Sequence, residues 1–175
     1  MLSDGATMRN RIITLLVAAL AFAGTASADT VKLTGVHLCC KGCVKGIETA
    51  VKKSGVKAEV DRKAKSVILD GSPGAVKKAL AAIGKAGYTG KTDGKQKVPA
   101  ATAAKGKVSS AKIEGVHLCC GACVKAVNKA LGNVPGVQTN TAEKRVKVFE
   151  VSGSFEPQAV LDALAAAGLS ARVGK

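Results

Sequence analysis

The apolar positions of this chain change period several times, and each change marks an element. Val31, Leu33 and Leu38 lie on a β-rich approach, after which Val44, Ile47 and Val51 recur at helical spacing. A glycine stop follows at Gly55. Val56, Ala58 and Val60 alternate as a strand does, and Ser66 to Leu69 supplies another beyond a turn at Arg62 to Lys65. Pro73 stands where a first helical turn tolerates it, ahead of Val76, Leu80 and Ile83. A short last strand is expected from Tyr88. The predicted order is β-α-β-β-α-β, a ferredoxin-like split βαβ unit.

The same succession then returns. GVHLCC occupies Gly35 to Cys40 and again Gly115 to Cys120, and each copy is followed by Cys-Val-Lys, at Cys43 and at Cys123. The second helix stripe is Val124, Val127 and Leu131, with its glycine stop at Gly136. Val137, Thr139 and Thr141 make a weaker, more polar strand, Val146, Val148 and Val151 take the part of the next, and Pro157 precedes Val160, Leu161 and Leu164. The last strand is expected from Leu169. Two copies are too few for a solenoid, which needs at least three repeats. The expected fold class is therefore α+β, with two ferredoxin-like βαββαβ sandwich domains at 29–92 and 108–175. Residues 93–107, DGKQKVPAATAAKGK, have no apolar periodicity and read as a flexible linker.

Residues 1–28 belong to neither repeat. Arg9 and Arg11 precede an apolar run from Ile12 to Phe22, and Ala26-Ser27-Ala28 has the small-residue form of a signal-peptidase site. The run is shorter than the ~20 residues that span a bilayer, so cleavage near Ala28 is expected, with an uncleaved anchor as the alternative. Met8 stands just before the basic stretch and is a second candidate start. The mature chain is then periplasmic or secreted.

Export sharpens the question of the six cysteines, all of which lie in the two GVHLCC loops. Oxidising compartments favour disulfides, but bridges between such close neighbours would close tiny loops and constrain little of the unfolded chain. Cys40 and Cys43 fall between a strand and a helix, with Cys43 at or near the helix N-terminus, where unpaired N–H groups and the dipole favour a thiolate. A C-x-x-C loop brings two sulfurs close enough to clamp one soft ion, Cu(I) before Zn or an Fe–S cluster.

HLCCKGCVKGI and HLCCGACVKAV resemble the motif of the heavy-metal-associated (HMA) domain, G-M-x-C-x-x-C followed by an apolar-periodic helix. That family includes copper chaperones, the N-terminal modules of metal-pumping ATPases and the periplasmic mercury carrier. Gly55-Val56 and Ala86-Gly87-Tyr88 match its later features. The resemblance implies an exposed metal loop that binds a soft ion through two cysteines and passes it on by ligand exchange. The ligands it implies are Cys40 and Cys43 in the first repeat and Cys120 and Cys123 in the second. The ion is Cu(I) as first candidate, with Hg(II), Zn(II) and Cd(II) chemically permissible. The implied partner is a metal-transporting membrane protein or another metal acceptor. The family residue at Tyr88 lies near the metal loop, and the second copy has Leu169 there.

This sequence also departs from the family pattern. Leu38 and Leu118 replace a Met, a conservative swap in size. His37 and His117 stand where the family has Gly, and Cys39 and Cys119 take its variable position. Each loop thus offers a third thiol and an imidazole. If the strand keeps alternating, Leu38 points inward and His37 and Cys39 share the outer side. Cys39, Cys119, His37 and His117 are additional ligand candidates, against the plainer readings of a spare thiol and a solvated imidazole.

The formal charge of +15 lies mainly in the first repeat and the linker. It suits an acidic partner surface, against the plainer reading of a solvated Lys-rich face. With a single Tyr, three Phe and no Trp, base stacking has almost no platform, and nucleic acid is not an expected partner. No constellation of catalytic acid, base and nucleophile stands outside the loops, so the chain does not read as an enzyme. Two functions remain: a metal carrier or buffer, and a thiol-disulfide redox protein that uses the same C-x-x-C loops.

Overall fold

The computed structural model describes residues 28–174, so the leader falls almost wholly outside the described residues. The first repeat runs β1 (Asp29–Thr34), α1 (Lys41–Val51), β2 (Lys57–Asp61), β3 (Ser66–Gly71), α2 (Pro73–Lys85) and β4 (Lys91–Thr92). The second runs β5 (Val108–Glu114), α3 (Gly121–Leu131), β6 (Val137–Asn140), β7 (Val148–Phe155), α4 (Pro157–Ala166) and β8 (Arg172–Val173). Each builds a four-stranded antiparallel sheet, ordered β2-β3-β1-β4 and β6-β7-β5-β8, with its two helices packed on one face. Among the described residues no helix is long and apolar enough to cross a membrane.

Register puts apolar side chains opposite one another on the face under the helices. Val31 pairs with Leu69 and Leu33 with Val67, all buried, and Ala111 pairs with Val151 and Ile113 with Phe149. Ile47 and Val51 from α1 and Val76, Leu80 and Ile83 from α2 close the first core. A fully buried aliphatic side chain of this kind contributes about 1.5–3 kcal/mol. Both prolines stand at the start of their helices. Ser72 caps α2 by accepting from the Ala75 amide at 3.3 Å, a contact of about 1 kcal/mol, whereas Glu156 offers α4 no side-chain cap.

Three expectations need correction. The innermost position of α1 is Cys43 rather than Val44, and that of α3 is Cys123 rather than Val124. Both cysteines lie on the same helical stripe, one turn ahead of Ile47 and Val127, and a thiol packs as a small apolar group. In β7 the buried residues are Phe149, Val151 and Phe155, while Val148 is 44% exposed. Val148 and Val151 are an odd number of residues apart, so a strand cannot turn both to one face. The last strands begin only at Lys91 and Arg172, because Tyr88 and Leu169 have another part.

That part joins the repeats. Tyr88 and Leu169, both fully buried, form an antiparallel bridge, with Thr89 N–H donating to Gly168 O at 3.1 Å and Ser170 N–H to Gly87 O at 3.0 Å. Gly87 and Gly168 precede them with φ of +88° and +77°, a region open to glycine and costly to other residues. A Cβ on Gly87 would collide with the backbone of Gly115 and His117, and one on Gly168 with that of Gly35 and His37. The segment 93–107 has no helix or strand, yet it touches both repeats. Val98 is buried beside Gly84, Gln96 Nε2 donates to Asp29 Oδ2, and the amides of Ala103 and Gly106 donate to Gln158 Oε1 and Glu156 Oε2.

Gly87→Ala and Gly168→Ala should each lower stability by more than the ~1–2 kcal/mol of a left-handed alanine, because the new methyl also meets backbone. Gly74→Ala, with open space at its Cβ, should cost nothing. Urea midpoints of the three variants check this.

Candidate metal centre

The two cysteine loops are built alike. β1 ends at Thr34, and Gly35 at φ +72° turns the chain. Val36 and Leu38 then drop into the core, leaving His37, Cys39 and Cys40 partly exposed. This alternation survives beyond the end of the strand. Cys40 is extended, at φ −147° and ψ 171°, and forms the N-cap of α1; Cys43 N–H, one turn in, donates to Cys40 O at 3.1 Å. Gly115, Val116, Leu118, Cys120 and Cys123 repeat each step, with Cys120 at φ −152° and ψ 172°. The β2–β3 turn steadies the first loop, where Val36 N–H donates to Lys65 O at 3.1 Å, and Arg145 N–H donates to Leu118 O at 2.6 Å in the second.

Because Gly87 and Gly168 bring the repeats into backbone contact beside these loops, the sulfurs meet. The sequence presents two separate loops, but the structure gathers all six thiols into one cluster. Cys39 Sγ lies 3.5 Å from Cys120 Sγ and 3.5 Å from Cys123 Sγ, both of the other repeat, and 3.6 Å from its own Cys43. Cys119 Sγ lies 3.5 Å from Cys40 Sγ, 3.8 Å from Cys43 Sγ and 3.7 Å from its own Cys123. Within the C-x-x-C pairs the separations are 3.8 and 3.9 Å. Adjacent residues of an extended segment point to opposite sides. Hence Cys39 reaches both sulfurs of the other repeat's pair, while Cys40 stays with its own Cys43 and meets Cys119.

These separations suit coordination. At a sulfur–metal distance of ~2.3 Å, two thiolates on one ion stand ~3.8 Å apart in a tetrahedral site, ~4.0 Å in a trigonal one and ~4.6 Å in a linear one. The observed values match three or four sulfurs around an ion better than a two-sulfur linear clamp. Sets of three donors within 4.8 Å of one another include Cys40, Cys43 and Cys119, and Cys119, Cys120 and Cys123.

The imidazoles flank this cluster unequally. A ring nitrogen of His37 falls within 4.8 Å of the sulfurs of Cys39 and Cys123. His117 instead stacks on Tyr88 of the other repeat, with centroids 4.6 Å apart and planes at 30°. The Nε2 atoms of both histidines and the Tyr88 hydroxyl are buried without a hydrogen-bond partner. Gly46 in α1 leaves room for this, since a Cβ there would meet the Tyr88 hydroxyl at 2.6 Å. Leu169 offers the first repeat no matching ring, so Tyr88 breaks the symmetry of the two halves.

Burial and thiol hydrogen bonds sort the sulfurs by charge. Burial pushes Cys39 up to about 12 and raises Cys119 as well. Cys43 is drawn down to about 2, chiefly because the Cys123 thiol donates to it, and Cys123 is raised because it keeps that proton. The Cys120 side chain closes no cap hydrogen bond, yet the N–H groups of Cys123 and Ala122 at the open end of α3 help bring it down to about 6, with the Cys39 thiol adding to the effect. Burial lowers His37 and raises Tyr88. Beside Cys119 a cleft of about 610 Å³ opens to solvent, lined by Lys85, Arg145, Lys147 and Arg172 with Glu114 among them.

Sequence reasoning missed the convergence of the loops and the Tyr88–His117 stack. The one signal for them lay in the paired Ala86-Gly87 and Ala167-Gly168 steps, of which the first is read there as a family feature.

No protein-family model matches the chain, and no curated protein matches it. Among solved structures the chain is similar to the N-terminal domain of PacS from Synechocystis PCC6803, at 31% identity and a TM-score of 0.36, over 39% of this chain and 100% of that one. It is also similar to the N-terminal soluble domains of Bacillus subtilis CopA, at 17% identity and a TM-score of 0.30, over 85% of this chain and 95% of that one. The first two RRM domains of the yeast poly(U)-binding protein Pub1 match at 9% identity and a TM-score of 0.25, over 83% and 98%.

Alkylation of the reduced protein with iodoacetamide should mark Cys120 well before Cys39. The Cys120 rate should level off above about pH 6, where its thiolate is already formed, while Cys39 stays slow to the top of the accessible range. Peptide mass spectrometry against pH reads both rates.

Proposed function

We propose that this protein is an exported carrier or buffer of soft metal ions, Cu(I) foremost, of the heavy-metal-associated kind, and that it carries its cargo rather than catalysing a reaction. The single observation behind this reading is the convergence of all six thiols, with sulfur–sulfur separations of 3.5 to 3.9 Å, at the helix N-termini of two βαββαβ units. Thiolate donors select Cu(I) over hard cations, and helix N-termini favour the charged form that binds it. Cys40, Cys43, Cys120 and Cys123 are the principal ligands, with Cys39 and Cys119 beside them.

Delivery proceeds by ligand exchange: an acceptor thiolate enters, shares the ion and displaces one of the protein's sulfurs. The basic cleft beside Cys119 is the side from which an acceptor with an acidic surface approaches, and a metal-transporting membrane protein is the kind of acceptor this implies. The apolar run and small-residue site before residue 29 support export, with the carrier working in the periplasm or beyond the cell.

The reduced protein should hold Cu(I) against a chromophoric Cu(I) chelator under anaerobic conditions. Replacing Cys40 and Cys43 by Ser should release at least half of the copper, and replacing Cys120 and Cys123 as well should release all of it. Full retention by the fourfold variant would sink the reading. Sustained turnover in an insulin-reduction assay would favour the redox alternative instead.

A further inference from the structure

The carrier reading leaves open how many ions the loops hold and whether the repeats bind separately. The sulfur positions answer both. Cys40, Cys43 and Cys119 form a triangle with sides of 3.8, 3.5 and 3.8 Å. Cys39, Cys40 and Cys120 form a second and Cys119, Cys120 and Cys123 a third, the sulfurs of each lying within 4.8 Å of one another. In a fourth, Cys39 lies 3.6 Å from Cys43 and 3.5 Å from Cys123, and those two sulfurs also lie 3.8 and 3.7 Å from Cys119. Every sulfur is a corner of two triangles, and any two triangles share one corner. A thiolate has lone pairs enough to bridge two soft ions, so this is the donor framework of a metal–thiolate cluster and not of two isolated clamps.

Resting on the carrier reading, we propose that the chain holds four Cu(I) ions as one six-thiolate cluster shared by both repeats, each ion bound by the three sulfurs of a triangle. Three of the four triangles draw sulfurs from both repeats. Cys39 and Cys119 are thereby bridging ligands, which accounts for the extra thiol in each loop.

Charge and geometry both favour this count. Cys43 and Cys123 are fully buried and Leu38 and Leu118 nearly so, and excess charge in such surroundings is costly. Six thiolates around two monovalent ions would leave four negative charges, whereas four ions leave two. Lys85 and Arg145 are among the cations that line the cleft beside Cys119, on the side where that remainder meets solvent. A triangle also suits a three-coordinate monovalent ion, whereas a tetrahedral Zn(II) would need a fourth donor at every triangle, and the His37 imidazole stands only beside the one that holds Cys39 and Cys123. Loading releases to solvent one proton for each sulfur that is still a thiol before the ion binds, and no oxidation state changes.

Anaerobic titration of the reduced, purified chain with Cu(I), read by native mass spectrometry, tests this. The expected result is the four-copper form appearing beside the metal-free form well before saturation. X-ray absorption of the loaded protein should give three sulfur neighbours per copper and a copper–copper shell. Cys39→Ser and Cys119→Ser each remove a corner of two triangles, and should each lower saturation from four ions to two. Saturation of the wild-type chain at two ions, without a copper–copper shell and unchanged in those variants, would overturn the cluster and leave the carrier standing. Loss of all copper from the wild-type chain to the chelator would overturn the carrier reading itself.

Discussion

The arrangement depends on one steric allowance. At Gly87 and Gly168 the backbone of each repeat lies against the backbone of the other with no room for a Cβ, and both glycines adopt a left-handed conformation. From that contact follow the Tyr88–Leu169 bridge, the amide hydrogen bond from His37 to Gly168 at 3.3 Å, and the meeting of two loops that each repeat could otherwise present to solvent alone. The contact lies beside the histidines that precede the vicinal cysteines. A separation of a few ångströms there would carry the cross-repeat sulfurs out of mutual reach.

Much of the fold was legible in the sequence because its cores are simple. Val31 and Leu33, Ile47 and Val51, and Val76, Leu80 and Ile83 follow the two periods that strands and helices impose, and proline and glycine punctuate them. The misreadings are local. At β7, three valines drew attention from Phe149 and Phe155, and the parity of the strand decided between them. At the helix starts, cysteine was weighed for its chemistry alone, although Cys43 and Cys123 occupy the innermost helical positions. The candidate ligands could be named, since cysteines occur nowhere else in the chain, but their convergence could not be. Contact between domains has no period, and a glycine that accommodates a neighbouring backbone looks in sequence like a glycine that ends a helix.

The vicinal pair shows how little covalent change separates one kind of site from another. A single C-x-x-C turns both sulfurs toward one helix end. A cysteine placed one residue earlier, on an extended segment, points across the interface instead, because neighbouring side chains on such a segment diverge. Cys39 and Cys119 do this reciprocally and are raised by burial, whereas Cys43 is lowered chiefly by the Cys123 thiol and Cys120 by the amides at the start of α3. The cluster therefore contains thiols of very different acidity within van der Waals reach. Its symmetry is broken at Tyr88, which covers His117 with an aromatic face for which Leu169 has no counterpart.

Residues 93–107 join the two halves in one chain and are pinned along the way by Val98, Gln96 and the amides of Ala103 and Gly106. Two free HMA-like domains would meet only as often as their concentration allowed. A short tether fixes their effective concentration at the millimolar level or above, whatever the dilution outside. The linker thereby makes assembly of the paired loops independent of how much protein is present.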